Sequence, residues 1–499
     1  MPLPRLFTHT TIYLLLFFSG QLYAQKKALV SSLEAGLEAG AYVSTNDDTP
    51  FWLRTNRFGI VSNQSPSGVL QGYLRKNYQF FDSLSNRSRK LDWRVAVNPV
   101  LTYNKTNKYN LVLPEANASV RFKMTEIYIG RRKEVMGLGD TTLSSGFYSG
   151  SGNALPMPKI QIGTIGFTPL KFTRNFLAIH AGFAHAWFHT DYLDGVRLHQ
   201  KFLYFRLGKP ASVSKFYLGL NHNVMWAGHG EYLKENPDLA LDGELPSSWK
   251  FFPNVVLAYT SKNWYKKNGY SSFDSYRLGN HLGSYDFGFE TKAGAYKLFI
   301  YHQHPFEDVS SMVFKNVPDG LYGVNFKLKS ASQRTGVLLT NITVEFLTTK
   351  DQSGSQFFIT GSKFQGADNY FNHSQYKEGW SYRGRPIGTP FIIPGKDMDP
   401  AKQGNGRYYP NNRVNMWYLG AQGRLGKALS LTLRTSYSRN FGTPGADYNP
   451  VRGQFSSLLG AEYRLAFLGN TILTAQWAMD RGDIFTKNNG GFIGLKKAW

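Results

Sequence analysis

The chain is predicted to be an all-β protein, a transmembrane antiparallel β-barrel of about 18 strands with long extracellular loops. Three observations lead there. Apolar and polar side chains alternate with a period of two in many segments. The amino terminus reads as an export signal, and no apolar run of about 18 residues follows it. The composition is rich in aromatics and glycine yet modest in hydrophobicity.

Alternation is clearest in Tyr285-Asp-Phe-Gly-Phe-Glu-Thr-Lys292, with apolar or aromatic residues at 285, 287 and 289. It returns at Tyr322/Val324/Phe326/Leu328, at Leu431/Leu433/Tyr437 and at Leu459/Ala461/Tyr463/Leu465. Successive strand side chains point to opposite faces, so each segment has one apolar and one polar face. A barrel with lipid outside and water inside requires that pattern, although a large soluble β protein could also show it.

Of the 499 residues, 42% are apolar and 15% aromatic, with 30 Tyr, 37 Phe, 10 Trp and 50 Gly. Mean hydropathy is −0.35. Aromatic girdles, a polar lumen and glycine where strands curve give this profile. There is no cysteine, which excludes disulfides, thiolate metal sites, thiol nucleophiles and lipid attachment to an N-terminal Cys.

Residues 1–24 are read as a signal peptide: Arg5 is the basic start, Thr11–Phe18 the apolar core, and cleavage is placed after Ala24. Residues 25–36 form a short periplasmic lead, and 37–499 form the barrel, where alternation starts at Leu37. Tight turns are expected at Gly208-Lys-Pro210, Gly426-Lys427 and Gly469-Asn470. Longer irregular stretches are expected near 136–158, 227–250, 302–320, 364–412 and 440–455, rich in Gly, Pro, Asn and aromatics. Tight turns alternating with long loops are the asymmetry of an outer-membrane barrel, whose long loops face outward. The chain ends Ile493-Gly-Leu-Lys-Lys-Ala-Trp499, a last strand closed by an aromatic residue.

The formal charge is +24, from 57 Lys+Arg against 33 Asp+Glu. In an exported chain this suits anionic partners such as lipid phosphates or acidic polysaccharide, or a solvated basic lumen; nucleic acid is not expected.

The strongest candidate site lies in 370–390. Tyr370, His373, Tyr376, Trp380, Tyr382, Arg383 and Arg385 share a stretch punctuated by glycine. Flat aromatic faces suit the apolar side of a sugar ring, and Arg grips a carboxylate in bidentate fashion. The other reading of these residues is a packed hairpin of girdle aromatics and lumen arginines.

Other groupings carry less. His302 and His304 would share a strand face, with Glu307 and Asp308 beyond, but Pro305 is expected to break the strand and no metal is expected. His189-Thr-Asp191 and Asp194 form no recognisable nucleophile or carboxylate pair, so no catalysis and no cofactor are expected. Arg131-Arg-Lys133, followed by Gly137-Leu-Gly-Asp140, lacks the ending of a phosphate loop and is placed at a strand end, facing lipid headgroups or solvent.

Several segments taken together resemble the Wzi family of outer-membrane capsule-assembly proteins, in its Bacteroidetes-type branch. They are Thr49-Pro-Phe-Trp-Leu-Arg54 with Phe58-Gly-Ile-Val61, Ser151–Pro158, Asn223–Gly228, Leu278–Phe287, Tyr301–Asp308 and Tyr370–Pro390. The resemblance runs from about Ala41 to the C-terminus. It implies an outer-membrane barrel acting as a lectin that holds capsular polysaccharide at the cell surface. The enterobacterial members look as though a helical bundle precedes the barrel. Here strands start soon after the signal, so any plug must be smaller or built differently. The expected partners are acidic polysaccharide and outer-membrane lipid or lipopolysaccharide, with the chain acting as a monomer. The alternative is a porin-like channel for sugars or anions.

Overall fold

The structure is a computed structural model that describes residues 33–79, 90–329, 336–354, 356, 366–404 and 406–499. The signal-peptide reading of 1–24, and the lead as far as residue 32, lie outside the described residues.

A closed barrel of 18 antiparallel strands forms the molecule. In order these are β1 Leu33–Ser44, β2 Ser67–Lys76, β3 Leu91–Asn104, β4 Lys108–Phe122 and β5 Thr125–Arg131. Next come β6 Lys159–Thr164 (resumed at Thr168–Pro169), β7 Leu177–Trp187, β8 Arg197–Leu207, β9 Lys215–Trp226 and β10 Asn280–Ala293. Then follow β11 Tyr296–Phe306, β12 Gly320–Leu328, β13 Val337–Thr348, β14 Val414–Leu425, β15 Leu429–Thr443, β16 Ala446–Leu465, β17 Thr471–Gly482 and β18 Asn488–Ala498. Each strand pairs with the next, and β1 pairs with both β2 (Ala39↔Leu70) and β18 (Ala39↔Leu495). Closure leaves no free sheet edge, which is how β structure satisfies its backbone in lipid.

The alternation does what a lipid-facing wall needs. On β3, Leu91, Trp93, Val95 and Val97 are exposed, while Asp92, Asn98, Val100 and Thr102 are buried. Polar pairs face inward: Lys76–Asp92 at 3.2 Å, Arg121–Asp92 at 3.5 Å and Arg94–Glu115 at 3.1 Å. No helix among the described residues is long and apolar enough to cross a membrane.

Connections differ between the two ends. One end carries tight turns, such as Lys123-Met124 and Gly294-Ala295, together with the start of β1 and the finish of β18. The other carries the long connections 45–66, 132–158, 227–279, 307–319 and 349–413. Short turns mark the periplasmic end, so the long loops form the extracellular mouth.

Four expectations need correction. β1 starts at Leu33, before the alternation read at Leu37. Residues 440–455 are not a loop: β15 and β16 run through them, joined by Pro444-Gly445. Pro305 does not break its strand but lies inside β11 opposite Ser284. Pairing to β12 begins at Gln303, so Pro305 is bonded on one side only and needs no N–H there. Likewise, Pro450 precedes Gln454, where pairing to β17 begins.

The fourth correction concerns the long loops, which do not simply face outward. Loop 132–158 crosses the lumen. Ser149 Oγ donates to Asn221 on β9, the Tyr148 N–H to Gln303 on β11, and the Ser145 N–H to Glu345 on β13, at 2.7, 2.6 and 2.6 Å. Lys327 on β12 donates to Asp140 at 2.9 Å, and Arg434 on β15 to the Ser144 carbonyl at 3.1 Å. Loop 45–66 sits beside it, with Trp52 Nε1 donating to Ser436 at 3.0 Å and the Phe51 N–H to Asp480 at 2.9 Å. Among the described residues the plug is therefore built from mouth loops. The basic run 131–133 also turns inward: Arg132 pairs with Glu126 and Glu134, both at 2.6 Å, and Lys133 donates to Asn98 at 2.7 Å.

Candidate functional site

Segment 366–390 lies on this plug at the mouth, tied to loop 132–158 through Ser149 and Ser151. Its aromatic residues form a floor. Tyr370, Tyr376, Trp380 and Tyr382 are at most 2% exposed. Trp380 Nε1 donates to the Ser149 carbonyl at 3.0 Å, and Tyr376 OH to the Ala227 carbonyl at 3.2 Å. Tyr370 OH donates to Asp319 at 3.1 Å and accepts from Asn316 at 2.7 Å, and the Tyr382 ring lies 5.2 Å from Phe188. Gly379 permits the sharp return between them. Its φ is +56°, and a Cβ there would lie 1.8 Å from the Phe371 carbonyl oxygen.

The remaining predicted residues separate. Arg385 is a strap: its guanidinium donates to the carbonyls of Arg54 and Val61, and burial lowers its pKa to about 10. His373 is half-buried between Phe273 and Tyr376, with ring centroids 5.5 and 5.3 Å away. Burial pulls its imidazole down to about 3, leaving it neutral. Arg383 is exposed, at the turn of the small ladder Ser381–Tyr382 against Arg385–Pro386. Of the seven predicted residues, then, Arg383 offers an open face.

On the same face of the segment the structure gathers residues that sequence reasoning missed. Tyr192, from loop 188–196, and Tyr232, from loop 227–279, are half-buried with ring centroids 5.9 Å apart. The Lys377 ammonium lies 5.1 Å from one ring centre and 5.0 Å from the other. Tyr232 OH donates to the Gln375 carbonyl, tying the platform to the floor. Burial pushes the Tyr232 phenol up to about 12 and the Tyr192 phenol far up, with Tyr232 and Glu378 adding to the latter. Both remain neutral, and the Tyr232 hydroxyl proton is taken by the Gln375 carbonyl. Exposed Lys396 lies against the Gly384 backbone, where a Cβ would meet its Nζ at 2.1 Å and the Tyr408 hydroxyl at 3.9 Å. Burial raises the Glu378 carboxyl, and Lys396 and Lys377 offset this. Half-buried Tyr192 and Tyr232 thus hold Lys377 beside the Glu378 carboxyl, on which Lys396 also acts. Rings offer stacking surface, and the cations suit carboxylate or phosphate groups on a ligand. The clue in the sequence was the charged residues interrupting 370–390, since a buried aromatic floor leaves those pointing outward.

Below the floor lies a set of buried carboxyls. Glu307 accepts from Tyr148 OH at 2.7 Å and from the Phe371 N–H at 3.0 and 3.2 Å. Asp368 accepts from Ser310 and Ser353, both at 2.9 Å. Burial raises Glu307 and Asp368 to about 8 and Asp319 to about 7, with Asp308 adding to the first two. Such groups stabilise the folded loops when protonated. That contribution is full below about pH 4 and is lost as pH rises through about 7 to 8. Amides of 366–376 should therefore exchange more slowly at pH 6 than at pH 9 after correction for intrinsic rates. Equal protection at both would show that these carboxyls are not coupled to loop packing.

His302 and His304 lie on the outer wall, against Tyr322 at 4.2 Å and Phe314 at 4.6 Å, away from the mouth site. His189 and Asp191 approach to 3.7 Å and are solvent-exposed.

An apolar outer wall, a polar interior and a loop-filled lumen define the class: this is an outer-membrane β-barrel. No family model and no curated protein matches the chain. Among solved structures it is similar to Wzi, described as an outer-membrane protein involved in group 1 capsule assembly in Escherichia coli and a carbohydrate-binding β-barrel. That similarity covers 95% of this chain and 86% of the other, at 14% identity and a TM-score of 0.57, and it shows the fold. Pseudomonas aeruginosa OpdL and OccK5 (OpdH) align over 94% of this chain and 98% of theirs, at 10% and 8% identity and a TM-score of 0.43 each.

Proposed function

We propose that this barrel is a cell-surface lectin that binds and anchors an acidic polysaccharide of capsular type, without cleaving it. The observation that carries the reading is Lys377 seated against the rings of Tyr192 and Tyr232 on a loop-filled mouth, with exposed Lys396 acting on the adjoining Glu378 and Arg383 exposed on the same segment. Fold similarity to a carbohydrate-binding barrel supports it. Phenol rings stack on pyranose faces, the Tyr192 hydroxyl donates to a sugar hydroxyl, and the cations hold carboxylates. Weak contacts to successive repeats of one polymer then add through avidity.

Purified protein should bind acidic capsular polysaccharide in surface plasmon resonance, more weakly as salt increases. Lys377→Ala and the pair Tyr192→Ala/Tyr232→Ala should each weaken binding about tenfold, with the fold intact. Unchanged affinity in both variants would remove the site. Shortened glycan chains after incubation would point to a hydrolase instead.

A further inference from the structure

The outer wall carries a second feature, independent of the mouth. A register row runs across β10 to β15: Phe287↔His302, His302↔Tyr322, Tyr322↔Phe346, Phe346↔Trp417 and Trp417↔Tyr437. Its rings touch in sequence, with centroid separations of 4.2 Å (His302–Tyr322), 6.4 Å (Tyr322–Phe346), 5.2 Å (Phe346–Trp417) and 6.2 Å (Trp417–Tyr437). The row roofs an apolar groove of about 740 Å³ on the lipid-facing side, continued below by Ile300, Val324 and Val344.

One step towards the mouth the chemistry reverses. Arg439 on β15 lies two residues beyond Tyr437, about 7 Å along the strand. Both Arg439 and Lys350 are exposed and lie over the Phe441 ring, at 5.6 and 4.7 Å from its centre. Neighbouring Arg413 is neutralised by Asp447, and its Nε donates to the Lys350 carbonyl at 3.0 Å. Lys350 and Arg439 form no ion pair among the described residues. Beside them, the side-chain oxygen of Asn415, which lies between Thr348 and Arg439 in the register, is buried without a hydrogen-bond partner.

We propose that this face seats a phosphorylated glycolipid of the outer leaflet. Its phosphate lies between Lys350 and Arg439, and its acyl chains lie along the groove beneath the aromatic row. Charge and position choose the occupant. Two cations that pair with no carboxylate among the described residues sit on the mouth side of the aromatic row, at the Trp417 edge of the apolar groove, on the long-loop side of the barrel, the side of the glycolipid leaflet. The aromatic row occupies the interface between the two, where rings with one wet edge settle.

Native mass spectrometry of the full protein in detergent, with added bisphosphorylated lipid A, dephosphorylated lipid A or phosphatidylglycerol, tests this. The bisphosphorylated lipid should bind at least about tenfold more tightly than either of the others. Lys350→Gln/Arg439→Gln should lose that preference while keeping heat-modifiable barrel mobility and polysaccharide binding. Trp417→Ala should weaken retention of all three lipids. Unchanged lipid A binding in the charge variant would overturn the site, and equal binding of phosphatidylglycerol would overturn the glycolipid assignment.

Discussion

Trp380→Ala is expected to loosen the mouth while leaving the barrel wall intact. The indole is fully buried, its Nε1 donates to the Ser149 carbonyl at 3.0 Å, and its backbone N–H closes onto Phe371 at 2.8 Å. Truncating a buried Trp costs about 3–5 kcal/mol, and leaving the Ser149 carbonyl unpaired adds about 1–3 kcal/mol. The wall does not share that loss, because its strands are held by their own ladders around a closed ring. Limited proteolysis should cut 366–404 rapidly in the variant and slowly in the parent, while heat-modifiable mobility stays the same. Polysaccharide affinity should fall as well, since Lys377 rides on the same segment. Trp380→Phe keeps most of the buried area but still leaves the Ser149 carbonyl unpaired, and should lose about 1–3 kcal/mol. An alanine variant as protease-resistant as the parent would show that Trp380 does not hold the floor.

Glu345→Ala should turn a quiet barrel into a leaky one. This carboxylate, on β13, accepts from Ser144 Oγ at 2.8 Å, from the Ser145 N–H at 2.6 Å and from Tyr301 OH. It is a principal bond between loop 132–158 and the wall, and its loss leaves buried donors unpaired at about 1–3 kcal/mol each. In planar bilayers the parent protein should show no large, stable single-channel current, and the variant should show intermittent openings as the loop detaches. Large, steady currents from the parent would favour an anion or sugar channel over the polysaccharide reading, and the inward-facing cations would then be its selectivity groups.

Much of the wall was legible because each strand carries its own instruction. Tyr285–Lys292 alternates, and β10 places Phe287 outward and Asp286 inward. Gly469-Asn470 both adopt positive φ, at the turn where the alternation breaks between β16 and β17. Pro305 and 440–455 were misread for one shared reason. Proline and turn residues argue against a strand bonded on both sides, but these segments rise beyond a neighbour and pair on one side only.

By itself, then, the sequence determined an alternating wall, since a period of two sorts side chains to opposite faces without reference to anything distant, and the pairing of β1 with β18 closed it. It also marked 370–390 as special. Only the tertiary structure decided which of those residues are buried in the floor and which are left exposed. Trp380 is bound to Ser149, 231 residues away, and Lys377 rests on rings from two other loops. Whether an aromatic side chain is floor or platform depends on what packs over it, and that is set by loops whose contacts no local pattern records.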